Sequence, residues 1–168
     1  MAINTLEEKM VHELGDIYDA EHQFLEMMQE ALPQANSDTV KSLLQQHIAE
    51  TEQQISTLKQ VFEALGKKAK RVSCQGAAGI VAENQKTLKQ VSKKPALADL
   101  AIAGGSSKVE HYEIACYRSL ITGAQQMGQN QIAQLLQQNL QQEEQTAQKI
   151  EQSAPALFQK AMAQAATA

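Results

Sequence analysis

The sequence predicts an all-α fold, a four-helix bundle built from two antiparallel hairpins that are joined by a long crossover. Three observations lead to this prediction. Ala, Gln, Leu and Glu recur throughout, whereas aromatic residues, which favour strands, make up only 4% of the 168 residues. Apolar residues recur at helical spacing in four long stretches. The links within the first and second pairs of stretches are short, and the link between the pairs is long.

The first hairpin is predicted to consist of helices at residues 6–32 and 38–65. Thr5 and Glu8 have the spacing of a capping box, in which each side chain accepts a hydrogen bond from the backbone of the other residue. Apolar residues then recur every three or four positions until a proline interrupts the pattern. Gly66 follows the second helix and suits a C-terminal cap.

The second hairpin is predicted at residues 95–123 and 130–153. Pro95 is favourable in the first turn of a helix. Pro155 is expected to end the last helix, because a proline disfavours helical backbone at the residue before it. Residues 154–168 then form a short tail that is rich in alanine and could form one more helix.

The crossover at residues 66–94 is more polar and contains two glycines, but a few apolar residues indicate a short extra helix within it. We expect residues 1–168 to form a single domain, since a chain of this length buries roughly two thirds of its unfolded surface. Two hairpins joined by one long crossover are the connectivity of ferritin-like bundles.

Composition and charge exclude several classes of function. The formal net charge is −4 and the basic residues are dispersed apart from one cluster at 67–71, so nucleic-acid binding is not expected. No stretch of about 18 apolar residues occurs, which argues against a membrane protein and favours a cytoplasmic one. Cys74 and Cys116 have neither a CxxC spacing nor the density of a disulfide scaffold, and we expect free thiols.

A glutamate lies in the apolar stripe of the first helix. Met10, Leu14, Ile17, Phe24 and Met28 are separated by steps that place them on one helical face, and Glu21 occupies the same face between Ile17 and Phe24. A charged residue therefore stands where a core residue is expected.

The other three helices repeat this feature near their middles. In each case the polar residue shares a face with apolar residues. The residues concerned are His47 and Glu50 in the second helix, Glu110 and Glu113 in the third, and Glu143 in the fourth. Taken alone, a glutamate in an apolar stripe is more often an edge residue whose carboxylate reaches solvent. The coincidence on four helices favours a shared site instead.

Burying several ionised carboxylates without compensation costs several kcal/mol per group, so a positive charge is expected among them. Lys and Arg are scarce on these faces. Two metal ions would neutralise the cluster, and carboxylates mixed with imidazole suit Fe or Mn. His47, three residues before Glu50, suits either a direct ligand or a partner that holds a carboxylate in place.

Four short segments resemble the YciF/YciE-like family of bacterial stress proteins, a branch of the ferritin-like, rubrerythrin-like superfamily. The resemblance extends from about residue 5 to residue 150, and its most specific part is the third segment. The segments are DIYDAE at 16–21, HIAET at 47–51, VEHYEIACY at 109–117 and EEQT at 143–146.

This resemblance implies a homodimer with a dinuclear metal centre, most readily of Fe and alternatively of Mn, and a link to stress responses. The implied ligands are Glu21, Glu50, Glu110, Glu113 and Glu143, with His47 as a further candidate. Ferritin-like centres commonly carry Glu-x-x-His on two helices. Here Gln53 and Thr146 stand in place of those histidines, so a centre rich in carboxylate and poor in histidine is implied.

The sequence leaves three functions open. The metals support redox chemistry, namely oxidation of Fe(II) by O2 or peroxide, or removal of peroxide. Alternatively, the metals are structural or sequestered, and the protein acts through protein partners. A metal-free helical bundle is the third reading.

Overall fold

The structure of the chain is a computed structural model that describes the backbone of residues 2–166 and the side chains of residues 2–164. Five α-helices account for most of this part, and no strand occurs in it. Their bounds are α1 at Leu6–Ala31, α2 at Asp38–Ala64, α3 at Gln75–Val91, α4 at Pro95–Gln126 and α5 at Asn130–Ala166. A single 3-10 turn, Leu32–Gln34, follows α1. The predicted all-α fold is confirmed.

The helices α1, α2, α4 and α5 form the bundle, and contacts between them fix their directions. Hydrogen bonds between α2 and α5 join Glu50 to Thr146 and Gln53 to Gln142, so residue numbers increase along α2 as they decrease along α5. This pattern shows that α2 and α5 are antiparallel. The short links of 32–37 and 127–129 make α1 antiparallel to α2, and α4 antiparallel to α5.

The helix ends carry the caps that the sequence predicts. Thr5 Oγ1 accepts a hydrogen bond from the Glu8 N–H at 3.1 Å, and the Glu8 carboxylate accepts one from the Thr5 N–H at 3.2 Å. This reciprocal pair is the expected capping box. Gly66, after α2, has a φ of +65°, which an L side chain adopts with strain.

The predicted end of the last helix at residue 153 is wrong. The helix α5 continues through Pro155 as far as Ala166. A proline inside a helix loses one backbone hydrogen bond, but Leu157 and Ala161 beyond it are buried, with 3% and 8% of their surfaces exposed. Their apolar burial against the bundle offsets the loss. The remainder of the predicted tail, residues 167–168, lies outside the described residues.

The crossover contains the expected extra helix, α3, which packs against α1 and α4. Before α3, an irregular segment is fastened to α1 by Asp19. The Asp19 carboxylate accepts hydrogen bonds from Arg71 Nε at 2.6 Å and from the Cys74 N–H at 2.8 Å. Burial raises the pKa of Asp19, but these two hydrogen bonds and a third from Gln23 outweigh it and lower the pKa. Asp19 therefore stays ionised and holds the crossover on the bundle.

Two adjacent glycines in α4 are expected to respond in different ways to substitution. Replacing Gly104 by Ala should stabilise the fold by up to about 1 kcal/mol, because position 104 faces open space and Ala favours helix. A methyl group at Gly105 would overlap the Asn84 amide of α3, so Gly105→Ala should be less stable than Gly104→Ala. Urea unfolding measures both. Adding Asn84→Ala to Gly105→Ala should recover stability, and equal stability of the two single variants would contradict the close packing.

Candidate metal centre

Four residues meet in the middle of the bundle and could hold a metal ion. They are His47 from α2, Glu110 and Glu113 from α4, and Glu143 from α5. Each offers one ligand atom, and these atoms all lie within 4.8 Å of one another. All four side chains are buried, with exposed fractions of 2% or less. We call these four residues the acidic cluster.

Glu21 of α1 lies beside the acidic cluster. It is fully buried, and its Oε1 accepts a hydrogen bond from the Tyr117 hydroxyl. Its other oxygen, Oε2, has no hydrogen-bond partner within the described part of the chain. Burial, and after it repulsion from the nearby charge of Glu143, raises the pKa of Glu21 well above its ordinary value. Glu21 thus adds a fourth buried carboxyl group beside the three of the acidic cluster.

Glu50 differs from the other predicted ligands. Its side chain is 18% exposed, and Lys149 Nζ lies 3.9 Å from its Oε1. Both of its carboxylate oxygens accept hydrogen bonds, from the Gln46 amide at 2.7 Å and from the Thr146 hydroxyl at 2.7 Å. The structure places Glu50 at the edge of the site, and it does not join the four residues that converge.

The polar atoms of the acidic cluster lack hydrogen-bond partners among the described residues. Both oxygens of Glu110, Glu113 and Glu143, and both ring nitrogens of His47, have no hydrogen bond to any described residue. His47 Nε2 lies 3.0 Å from Glu110 Oε1, but the two atoms are not aligned as a hydrogen bond. Unsatisfied buried polar atoms are costly in a native fold. A cation bound among these converging atoms would satisfy them.

The electrostatics of the acidic cluster follow from this burial. Burial raises the pKa of Glu110 to about 8. Burial, together with repulsion from Glu143, raises the pKa of Glu113 and of Glu21 well above the ordinary value, and burial raises that of Glu143 in the same way. Burial lowers the pKa of His47, which keeps the imidazole neutral and able to bind a metal. Without a cation, several of these carboxyls hold protons at neutral pH.

The residues fit a metal that prefers oxygen ligands. Carboxylate oxygens outnumber imidazole nitrogens, the set contains no thiolate, and the site lies away from bulk water. Such a donor set suits Fe or Mn better than a soft metal. A bound cation would displace the protons that the carboxyls hold. The acidic cluster could therefore hold a metal ion.

A hydrogen-bond network beside Glu21 was not predicted from the sequence. The Tyr117 hydroxyl donates to Glu21 and accepts from Asn139 Nδ2 at 2.9 Å, and Asn139 also donates to the Gln54 carbonyl at 3.3 Å. Tyr117, Asn139 and Gln54 are all buried. Helical spacing offered a signal, because Tyr117 lies four residues after Glu113 and Asn139 four residues before Glu143. The network holds one oxygen of Glu21 in position.

Removing the Tyr117 hydroxyl should destabilise the protein. In Tyr117→Phe, Glu21 loses its hydrogen-bond donor while remaining buried, and we expect a cost of about 1–3 kcal/mol in the free energy of unfolding. Urea unfolding of the metal-free protein at neutral pH measures it. Tyr18→Phe is the matched control, since Tyr18 packs against His22 and Phe62 through its ring. A Tyr117→Phe variant as stable as the Tyr18→Phe variant would show that the hydroxyl carries no such role.

Comparison with known proteins identifies the family. Residues 5–163 match a family model described as a domain of unknown function, DUF892. The chain belongs to the DUF892 family. This DUF892 chain is also 32% identical over 147 residues to the protein YciF of Escherichia coli K12, which covers 87% of the chain and 88% of YciF. The predicted resemblance to YciF-like proteins is confirmed.

Solved structures support the same relation. YcfI of Rhodopseudomonas palustris, described as a proposed structural protein, is 35% identical, and the match covers 89% of the DUF892 chain and 94% of YcfI with a TM-score of 0.86. The Escherichia coli stress protein YciF is 31% identical, covering 94% and 99% of the two chains with a TM-score of 0.88. A Xanthomonas campestris protein at 24% identity, covering 94% and 97%, has a TM-score of 0.75 and shares the fold.

The helices in the described part of the chain are amphipathic, and none of them is both long and apolar enough to cross a bilayer. Their faces alternate between buried apolar residues and exposed polar ones.

Proposed function

We propose that the chain is a ferritin-like metalloprotein that binds two metal ions, most readily Fe and alternatively Mn. It uses them to oxidise Fe(II) or to remove peroxide. The observation that carries this proposal is the convergence of buried oxygens and nitrogens that lack hydrogen bonds in the described structure. The relation to a stress protein agrees with a role in defence against oxidants.

The acidic cluster would hold one ion through His47, Glu110, Glu113 and Glu143. A second ion would draw on Glu21, whose Oε2 has no hydrogen bond among the described residues, and on Glu50. A bound Fe or Mn ion supplies electron transfer to O2 or peroxide. In the reaction with Fe(II) as substrate, two Fe(II) ions and two protons reduce one hydrogen peroxide molecule to two water molecules, leaving two Fe(III) ions.

The chain's own residues prepare this chemistry by orienting and shielding the ligands. Tyr117 fixes one oxygen of Glu21, and Gln46 and Thr146 fix the two oxygens of Glu50. Full burial of the acidic cluster excludes bulk water, so the ligand charges are weakly screened and attract a cation strongly. Glu50, at the exposed edge, lies where a small oxidant would enter.

Metal binding tests the proposal directly. Purified protein, stripped with chelator and titrated anaerobically with Fe(II) or Mn(II), should bind about two equivalents, and Glu113→Gln should bind less. Glu144→Gln, an exposed neighbour of Glu143, is the matched control and should bind as the wild type does. The loaded wild type should then consume peroxide or oxidise Fe(II) faster than buffer. A protein that binds metal but does neither would contradict the redox function.

A non-catalytic bundle that acts through protein partners is the second candidate function. The description of the related YcfI as a proposed structural protein favours it. In that case metal binding would raise stability without any reaction with peroxide, and Glu113→Gln would lower stability of the metal-loaded protein only. A melting curve recorded beside the peroxide assay separates the two functions.

We also propose that the chain forms a homodimer and works in the cytoplasm. Phe158 and Met162 of α5 support an interface, because 58% and 64% of their surfaces are exposed in the single chain. Sedimentation velocity should find a dimer that Phe158→Glu weakens. Gln159→Glu is the matched control, because it adds a charge at an exposed neighbouring position. A monomer at all protein concentrations would overturn the dimer.

A further inference from the structure

A cavity lies outside the acidic cluster, between α1, α3 and α4. Its volume is about 260 Å³, and Leu44 of α2 contributes to its lining. Leu44 and Ser106 lie one helical turn before His47 and Glu110, respectively, so this cavity and the acidic cluster occupy neighbouring levels of the bundle. None of the predicted metal ligands lines it.

The inner part of the cavity is apolar. Met28, Leu44 and Ile102 line it and are buried, with exposed fractions of 0%, 2% and 6%. Methionine side chains adapt to irregular apolar partners. Because a cavity of roughly 150 Å³ already binds benzene, 260 Å³ gives room for a chain of about six to eight carbons.

The mouth of the cavity is polar, and some of its hydrogen-bond donors have partners among the described residues while others do not. Gln85 Nε2 donates to Glu30 Oε2 at 3.1 Å, and Gln34 Nε2 donates to the Glu30 carbonyl at 2.9 Å. One N–H of each amide is therefore engaged, and the Glu30 carboxylate accepts a hydrogen bond. Asn84 and Lys89 also line the cavity, and their side-chain nitrogens form no hydrogen bond or ion pair with a described residue.

Asn84 is held at the mouth by its packing. Its amide lies against the backbone of Gly105, where a side chain at position 105 would overlap it. Its Nδ2 is buried and has no hydrogen-bond partner among the residues described. An exposed lysine, Lys89, lines the same mouth and forms no ion pair within residues 2–164. An unsatisfied donor and a cation that line the same cavity favour an anionic ligand.

We propose that this cavity binds a medium-chain monocarboxylate, with the carboxylate at Asn84 and Lys89 and the hydrocarbon chain against Met28 and Leu44. The apolar interior matches the chain, and the donors on Asn84 and Lys89 match the head group. This site is independent of the metal centre, since its residues and its chemistry are different.

Octanoate is the probe that tests the proposal, with octan-1-ol as a neutral molecule of similar length. Methyl NMR signals of Met27 and Met28 should shift with saturable dependence on octanoate, and octan-1-ol should bind more weakly. Lys89→Gln and Asn84→Ala should each weaken octanoate binding about fivefold. Lys86→Gln, on the same helix but outside the cavity, is the matched control and should bind as the wild type does.

A larger residue at the cavity wall gives the opposing test. Ala101→Phe fills the cavity and should abolish the methionine shifts, with circular dichroism to confirm that the variant is folded. Octanoate binding that persists in folded Ala101→Phe would place the probe elsewhere and overturn the site. Equal affinities for octanoate and octan-1-ol, unchanged in Lys89→Gln, would overturn the carboxylate. The absence of saturable shifts in the wild type would overturn both.

Discussion

The metal-free protein should lose stability as pH rises from about 5 to about 8. The pKa of Glu110 is raised from 4.5 to about 8 by burial, and those of Glu21, Glu113 and Glu143 are also raised. The folded state thus holds protons that the unfolded state releases, so higher pH favours unfolding. Glu110 alone would cost up to about 3 kcal/mol at pH 7, relative to acidic solution.

His47 acts in the opposite direction. Burial lowers its pKa below 6.5, so its contribution to stability is lost as pH falls and the unfolded histidine takes up a proton. One histidine is outweighed by four glutamates, and the net effect above pH 5 follows the carboxyls. Chelator-treated protein, unfolded in urea over a series of pH values, provides the measurement.

The variant Glu110→Gln tests whether the buried carboxyl groups cause this pH dependence. It removes one ionisable group from the acidic cluster, so the variant should lose less stability between pH 5 and pH 8 and exceed the wild type at pH 8. Glu151→Gln is the control, because that side chain is 62% exposed and should change little. A metal-free wild type whose stability increases over this pH range would contradict the buried carboxylates as the cause.

Metal binding should produce the other large effect. At neutral pH a metal concentration about a thousand times the dissociation constant would stabilise the fold by about 4 kcal/mol, which raises the melting temperature by roughly 10 °C. Differential scanning calorimetry with Fe(II) or Mn(II) under anaerobic conditions measures this shift. The pH dependence should also reverse, because metal binding requires the carboxyls to be deprotonated.

The shift should depend on the acidic cluster and on nothing at the surface. Glu143→Gln removes a ligand candidate from α5 and should abolish most of the stabilisation by metal. Glu144→Gln changes the next residue, which is exposed and pairs with Arg118, and should keep it. A metal-dependent shift of equal size in both variants would place the ion outside the bundle core.

The acidic cluster could be anticipated from the sequence because helical spacing is regular. Glu21, Glu110, Glu113 and Glu143 each fall on an apolar stripe, and a stripe that is buried buries its glutamate. The same reasoning gave Glu50 an equal role. It could not foresee that Gln46 and Thr146 engage both Glu50 oxygens, because those contacts depend on side-chain rotamers and on the relative rotation of α2 and α5.

The remaining differences arose where tertiary contacts override local preference. Pro155 is a helix breaker by its own chemistry, and only the burial of Leu157 and Ala161 shows why α5 continues. The crossover posed the same difficulty. Asp19 lies on the same helix as Glu21, and the sequence spacing does not distinguish a metal-ligand candidate from a residue that binds Arg71 and the Cys74 backbone. Contacts between residues more than fifty positions apart leave no periodic signal.

The concentration of unsatisfied carboxylates on three helices has a consequence for the lifetime of the protein. Under the proposed function, a chain without a bound cation opens more often, and the open form is what proteases cleave. The supply of Fe or Mn would then set how many copies survive, without any transcriptional control. The cluster that makes the fold costly would in this way couple the abundance of the protein to the metal it needs.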